Sequence, residues 1–452
     1  MSSDATEFDL LVVGGGMAGM SAAAQAASRG ARVVVCEIAN RVGGTALLST
    51  GNVWTVQTAE AFRAADPDGD VTLWQVVRDD LDESLEWIAS LNVPVRERHK
   101  ASSSSTYDPP PIGRNIDIET FMARGVRTVA GAGGLVLYGT TVSGLELTPD
   151  GDACGRIRTV ATGDEHELRV GAVVLASGGF QMSRELRARY LGEVVADQVA
   201  LRSNPHSQGA GLRLALQAGA STSATMDTFY GVILPAVPGE LTEPDFRGLV
   251  LHGAVYGVVL GPDGTRITDE SCGAVSLATA VARVGRAVFI LGDAMVHEAN
   301  GRLGIDLAQI LRNSGERGAR FVAPPSVEPA CATLDDWGYD GRRAAHTLKE
   351  FDEAIPHGYE IRPSRRRHRL SLGSRDLLMV EVQAAVTSTF GGIRTDIHGQ
   401  ALAADGAPVP GLFAAGVDQG GYNVSGYVGG LSRALVFGRR AAERALVTEA
   451  HA

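Results

Sequence analysis

The residues most able to do chemistry stand in "YNVSGYVGGLSRALVFG", Tyr422 to Gly438, where a phenol, Tyr427, sits among glycines that feed a helix beginning near Leu431. A phenol can move a proton in either direction. With an ordinary pKa of about 10 it needs a stabilised anion to serve as a base near pH 7. A helix N-terminus stabilises nearby negative charge by roughly 0.3–2 kcal/mol, at most about one to one and a half pKa units. The helix end alone therefore does not make Tyr427 a base. Tyr422 and Tyr230 are rival proton carriers, and Tyr107 on a polar loop is a further donor. His206 in "SNPHSQGAG" reads as structural first and chemical second. The competing reading of Tyr427 is a packing residue with no proton role.

The other chemistry-bearing stretch is N-terminal. Phe8 to Val13, "FDLLVV", reads as a buried parallel strand, and Gly14-Gly15-Gly16-Met17-Ala18-Gly19 follows as GxGxxG. Met20 to Arg29 is alanine-rich and helical, Gly30 closes that helix, and Arg32 to Cys36 is a second strand ending at Glu37. Strand, helix, strand and acid in this order form a dinucleotide-binding βαβ unit. Gly14 makes the tight turn, Gly16 lets backbone approach a pyrophosphate, and Gly19 lets helix and strand pack closely. The helix N-terminus, with Met17 and Ala18, binds phosphate, and Glu37 accepts from a ribose diol.

The next residues separate two cofactors. "NRVGGTALLSTGNVW" brings a second small-residue loop, with Gly43, Gly44, Thr45, Ser49, Gly51 and Asn52. A nicotinamide cofactor has no need of it. A flavin does, because the chain must pass close to its ribityl and ring portions. Later segments repeat the logic. "LRVGAVVLASGGF" ends a strand at Ala176, Ser177 and Gly178, and "PGLFAAG" ends one at Gly416, followed by Asp418. Small residues at strand carboxyl ends are where an open α/β sheet takes its ligand. "GTTVSGLEL" reads as a strand whose backbone near Val142 meets an adenine. Gly430, Leu431 and Ser432 then present a helix end to the flavin ring, and Tyr427 gains from it secondarily.

The order of these signatures resembles the fumarate reductase/succinate dehydrogenase flavoprotein family, which includes the 3-ketosteroid dehydrogenases. VVGGGMAG, Glu37, VGGTALLSTGN, LASGGF, TSTFGGIRTD, VPGLFAAGVDQGG and GYVGGLSRALVFGRRAAERA carry it, over roughly residues 8–225 and 375–447. The resemblance implies an α/β fold: a Rossmann-like FAD-binding domain (1–225 and 375–452) interrupted by an α+β cap, or substrate, domain (226–374). Some members hold FAD covalently through a histidine in the segment matching Ala46–Gly51. No histidine stands there, so non-covalent FAD is expected.

Fumarate-type members grip a carboxylate with arginines and histidines. At the matching positions this chain has Tyr427, Thr387 or Ser388, "SCGAVSLA" without the cap arginine, and "YGVILP" without the histidine. A site without cations would desolvate a dicarboxylate unpaired, so fumarate and succinate are set aside. "GYVGG" is similar to the "G-Y-x-x-G" of the 3-ketosteroid Δ4-(5α)-dehydrogenases, which implies Tyr427 as catalytic base.

Bulk properties bound the rest. The chain has 452 residues, 44% hydrophobic and 21% charged, with a net charge of −11. That is soluble and globular in composition, with nothing to recommend nucleic acid. Four cysteines without CxxC spacing point to no thiol-metal site and to a reducing compartment. No metal is expected. With no signal-like start and no membrane-length apolar run, a cytoplasmic protein is expected. Residues 54–130 read as helices joined by loops, with Leu81, Leu85, Ile88 and Leu91 on one face and Trp87 packing. "IRPSRRRHRL", Ile361 to Leu370, reads as a solvated loop or as a docking patch for an anionic tail. The sequence thus predicts an FAD-dependent oxidoreductase acting on a CH–CH bond next to a carbonyl of an apolar, possibly cyclic or steroid-like compound. The alternatives are an enoate-type reductase of a carboxylic acid, or a flavoprotein subunit dependent on a partner. The electron donor or acceptor stays open.

Overall fold

The computed structural model describes residues 8–98, 109–149, 151–242, 244–373 and 375–449. Tyr107 lies outside them. The apolar run Phe8–Val13 forms β1, Met17–Ser28 forms α1, and Val33–Glu37 forms β2. Leu135–Tyr138 is β3 and Glu165–Leu175 is β4. The chain then builds a second sheet around Phe229–Pro235 (β5) and Leu378–Thr389 (β6). It returns with Pro408–Ala414 (β7) and ends in the long helix Gly430–Glu449 (α2).

The first sheet runs β7-β4-β1-β2-β3, all parallel, with Gln400–Leu402 antiparallel on the β7 edge. Its central strands carry apolar side chains on both faces because both faces are covered. Leu10, Val12, Val33 and Val35 pack on the α1 side, and Leu11, Val13 and Val34 on the other. Helix α1 crosses α2 closely, since a Cβ at Gly438 would meet the Ala18 oxygen at 2.4 Å.

The second sheet has β6 as its long central strand, paired antiparallel to β5, to Ala287–Leu291 and to Phe321–Val322, and parallel to Ala200–Leu201. Two of these strands, Ala200–Leu201 and β6, lie in sequence outside 226–374, so this second sheet draws on chain from both flanks of that segment. Its edge strand Val258–Leu260 follows a short helix, Asp245–Gly248, and a 3-10 turn, Ala254–Tyr256. Residues 52–116 also hold a small three-stranded sheet, Asn52–Thr55, Ile112–Ile116 and Val95–Arg96, that the helical reading missed. The helix Val71–Ser90 does bury Leu81, Leu85 and Ile88. Trp87 packs edge-on to Phe121 beneath the Arg439 guanidinium.

The arginine-rich segment is not uniformly solvated. Arg365 is fully buried. Its guanidinium pairs with Glu270 at 3.0 Å and donates to the backbone oxygens of Val255, Tyr256 and Gly257. Arg266 pairs with the same carboxylate. A buried charge is tolerable when paired and hydrogen-bonded in this way, and the cluster ties the segment into the cap. Arg366 beside it is exposed.

Candidate active site

A cavity of about 400 Å³ opens at the carboxyl ends of β1, β2 and β4 and continues between the first sheet and the cap. At one end it is lined by backbone. Gly14, at φ +100°, lets β1 turn against β4: a Cβ there would meet the Ala176 oxygen at 2.5 Å. Nothing lies within 4 Å of a Cβ built on Gly16, and α1 has no side-chain cap. The first N–H groups of α1, which no intrahelical carbonyl can satisfy, are left for a ligand. Met17 and Ala18 line the cavity beside them.

Glu37 ends β2 with its carboxylate buried. It accepts the Gly15 N–H at 2.7 Å and the Ala39 N–H at 2.8 Å, and it lines the cavity. Gly44, Thr45, Ser49 and Asn52 line the next stretch, as do Ala176, Ser177, Gly178 and Gly416. Gly430 and Leu431 bring the first turn of α2 to the wall.

Several predicted residues stand one layer back. Gly19 is the helix–strand contact: its Cβ would fall 1.8 Å from the Gly14 oxygen. Gly43 packs on Leu47, and Gly51 on the Ile116 oxygen. Val142 is buried in the core, and Thr140 and Thr141 line the cavity in its place. Ser432 bonds the Trp54 and Gly429 oxygens and so ties α2 to the strand Asn52–Thr55. Asp418 accepts from the Ser177 hydroxyl at 3.0 Å and the Gly178 N–H at 3.2 Å, with its other oxygen unpartnered. Burial pushes its carboxyl up to about 7, against the pull of those bonds.

At the other end the cavity is lined by side chains. Tyr427 stacks on Tyr230 with ring centroids 4.0 Å apart, and its hydroxyl accepts the Gly430 N–H at 3.0 Å. Tyr230 is aimed by a bulge in β5 between it and Gly231, the usual device for re-directing a side chain. The loop carrying Tyr427 is held by Asp66, which is itself buried. Its carboxylate accepts from the Asn423 amide, the Val424 and Ser425 N–H groups and the Ser425 hydroxyl.

Burial, with Tyr230 adding to it, pushes the Tyr427 phenol up to about 12. The Gly430 N–H and two arginines act against this and do not prevail. The phenol therefore keeps its proton near neutral pH. Tyr230 is pushed up by burial too.

Tyr422 does not reach the cavity. It is buried under Phe62, and its hydroxyl donates to the Val428 oxygen at 3.1 Å. It is a core residue, because the turn after Gly421 points it away from the cavity that receives Tyr427.

The expectation of a site without cations is overturned. Arg202 and Arg433 both line the cavity, with His252 and His206. Arg202 donates to Thr387 at 2.9 Å. Burial and the nearby Arg202 charge lower His252 and hold it neutral. Neither arginine stands at a position that the family's motifs assign to a carboxylate grip. The available signal was Arg433 itself, a lone charge in the apolar run Leu431–Phe437. Among the described residues no His/Cys/Asp/Glu group is placed to hold a metal.

The fold and the uncapped helix end over Gly16 define a nucleotide-binding flavoprotein. The structure matches the 3-ketosteroid Δ4-(5α)-dehydrogenase of Rhodococcus jostii RHA1, solved in complex with 4-androstene-3,17-dione, with a TM-score of 0.71. Identity is 18%, over 97% of this chain and 96% of that one, a likeness of fold.

Residues 9–432 match the FAD binding domain family, and the chain belongs to it. It is 23% identical to the fumarate reductase (cytochrome) of Shewanella frigidimarina, over 97% of this chain and 76% of that protein. It is 25% identical to a KsdD-like steroid dehydrogenase of Mycobacterium tuberculosis, over 96% and 95%. The protein is an FAD-dependent oxidoreductase. Among the described residues no helix is long and apolar enough to cross a membrane.

Proposed function

We propose that the protein exchanges hydrogen between FAD and a CH–CH bond conjugated to a carbonyl, with Tyr427 carrying the proton. The observation behind this is Tyr427, half-buried at the cavity wall, with its ring stacked on Tyr230 and its hydroxyl beside the start of α2. The relatives named above, a fumarate reductase and a steroid dehydrogenase, support a reaction at a carbon–carbon bond. Gly14, Gly16, Met17 and Ala18 would hold the pyrophosphate, Glu37 the adenosine ribose, and Gly430 and Leu431 the pyrimidine edge of the ring. With no histidine in Ala46–Gly51, the cofactor is held non-covalently. When bound, FAD supplies the site that gives or takes the hydride.

The chain's own residues do the rest. Burial keeps the Tyr427 phenol protonated near neutral pH, so it stands there as a proton donor, the role that reduction requires. Tyr427 would give its proton to the α-carbon of a substrate whose β-carbon takes the hydride that bound FAD would supply. Neutral His252 and Arg202 offer N–H donors for the carbonyl oxygen. Trp54, Val250 and Phe390 keep water from the reacting carbons.

The test is anaerobic. Photoreduced protein is mixed with 4-androstene-3,17-dione, cinnamaldehyde or cinnamate, and flavin absorbance is followed. Re-oxidation by at least one conjugated carbonyl compound is expected. Protein that purifies colourless and takes up no FAD contradicts the reading.

A further inference from the structure

Arg433 is 3% exposed and sits in the first turn of α2. Its guanidinium has one long bond, Nη1 to the Gln419 backbone oxygen at 3.5 Å, and lies over the Tyr422 ring, 5.4 Å from its centroid. Its Nε has no partner. Among the described residues no carboxylate lies within ion-pair distance of it. A buried charge is costly unless paired or hydrogen-bonded: the buried Arg266 and Arg365 share Glu270, and buried Arg187 donates to two backbone oxygens at 2.7 and 2.9 Å. Arg433 lines the cavity together with Tyr427 and Asn423, a space from which an anion can reach it.

Two negative groups could come there: the ring of reduced flavin, or a charged substrate. The start of α2 at Gly430 and Leu431 already offers its N-terminal charge to the ring. We therefore infer that Arg433 binds a carboxylate of the substrate, so that the cavity takes an α,β-unsaturated acid with an apolar body. This rests on the reading that flavin and substrate share the cavity. It turns the choice between neutral ketone and acid toward the acid. Burial lowers the Arg433 pKa, and only the nearby phenols oppose it, as for a cation still lacking its counter-charge.

The experiment uses the oxidised holoprotein, whose flavin ring is neutral, and titrates cinnamate and its uncharged amide, cinnamamide, against the flavin spectrum. Wild type is expected to bind cinnamate more tightly. Arg433→Met should weaken cinnamate by roughly 10–100-fold, the worth of a charged hydrogen bond, with cinnamamide and flavin content unchanged. Arg433→Lys should restore much of the loss. Equal cinnamate affinity in wild type and Arg433→Met overturns the inference, and all the more so if the variant's flavin potential falls, since the charge then serves the ring. The reading of function fails separately: Arg433-dependent cinnamate binding, with no re-oxidation of reduced flavin by any conjugated carbonyl compound, leaves the inference standing and removes the proposed reaction.

Discussion

The two ends of the cavity are built differently. The nucleotide end is backbone: uncapped N–H groups, glycines with no room for a Cβ, and one carboxylate fixed by two N–H donors. The other end is side chain: Tyr427, Tyr230, Arg202, His252 and Arg433, brought together from segments 202–252 and 427–433, more than 170 residues apart. A backbone site constrains contiguous sequence, because each close approach demands glycine at a fixed spacing. A side-chain site constrains only where each element ends, and many sequences meet that condition.

Lesions at the two ends should therefore fail in different ways. The largest effect is expected from Gly19→Val, whose Cβ would lie 1.8 Å from the Gly14 oxygen. The βαβ unit cannot close around that contact, and the protein should carry no flavin by absorbance at purification. Next is Arg365→Met, far from the nucleotide end. Breaking a buried ion pair costs about 3–5 kcal/mol, so denaturant unfolding should show a destabilised cap while the flavin spectrum stays native. Loss of flavin without loss of stability would erase the distinction between the two regions.

A smaller effect is expected from Glu37→Ala. It leaves the Gly15 and Ala39 N–H groups without their acceptor, at about 1–3 kcal/mol. FAD should bind roughly 10–100-fold more weakly in equilibrium dialysis, with turnover at saturating FAD retained.

The last is a pH slope, spread over several pH units. Asp418 is raised in the folded state to about 7 from an ordinary 3.8. The folded state then holds a proton that the unfolded state releases. Its contribution is present at low pH and is lost as pH rises through about 7. Flavin-free protein should lose thermal stability over that range, and Asp418→Asn should flatten the slope.

Legibility follows the same division. Strand β1, helix α1, Glu37 and the small-residue strand ends were readable because each meets a local backbone demand. Tyr427 was readable because a phenol among glycines is out of place. Tyr422 misled, because nothing in the sequence tells which tyrosine of the turn faces inward; only the packing of Phe62 against it decides. The small sheet over 52–116 was hidden by its short strands and by the strong helical period of Val71–Ser90. Asp66 is unreadable as the anchor of the Tyr427 loop, since all four of its donors come from residues more than 350 positions away in sequence.

The measurement that bears most directly on Tyr427 is single-turnover re-oxidation of photoreduced Tyr427→Phe, using whichever conjugated carbonyl compound re-oxidises the wild type. The phenyl ring keeps the stack on Tyr230 and removes only the hydroxyl. A positioned proton donor is worth about 10²–10⁴ in rate, and with the phenol held up to about 12 the wild-type rate should be flat in pH up to about 10 as far as Tyr427 is concerned. The account predicts full flavin content and a rate lowered by that factor. A variant that keeps both its flavin and the wild-type rate would contradict it.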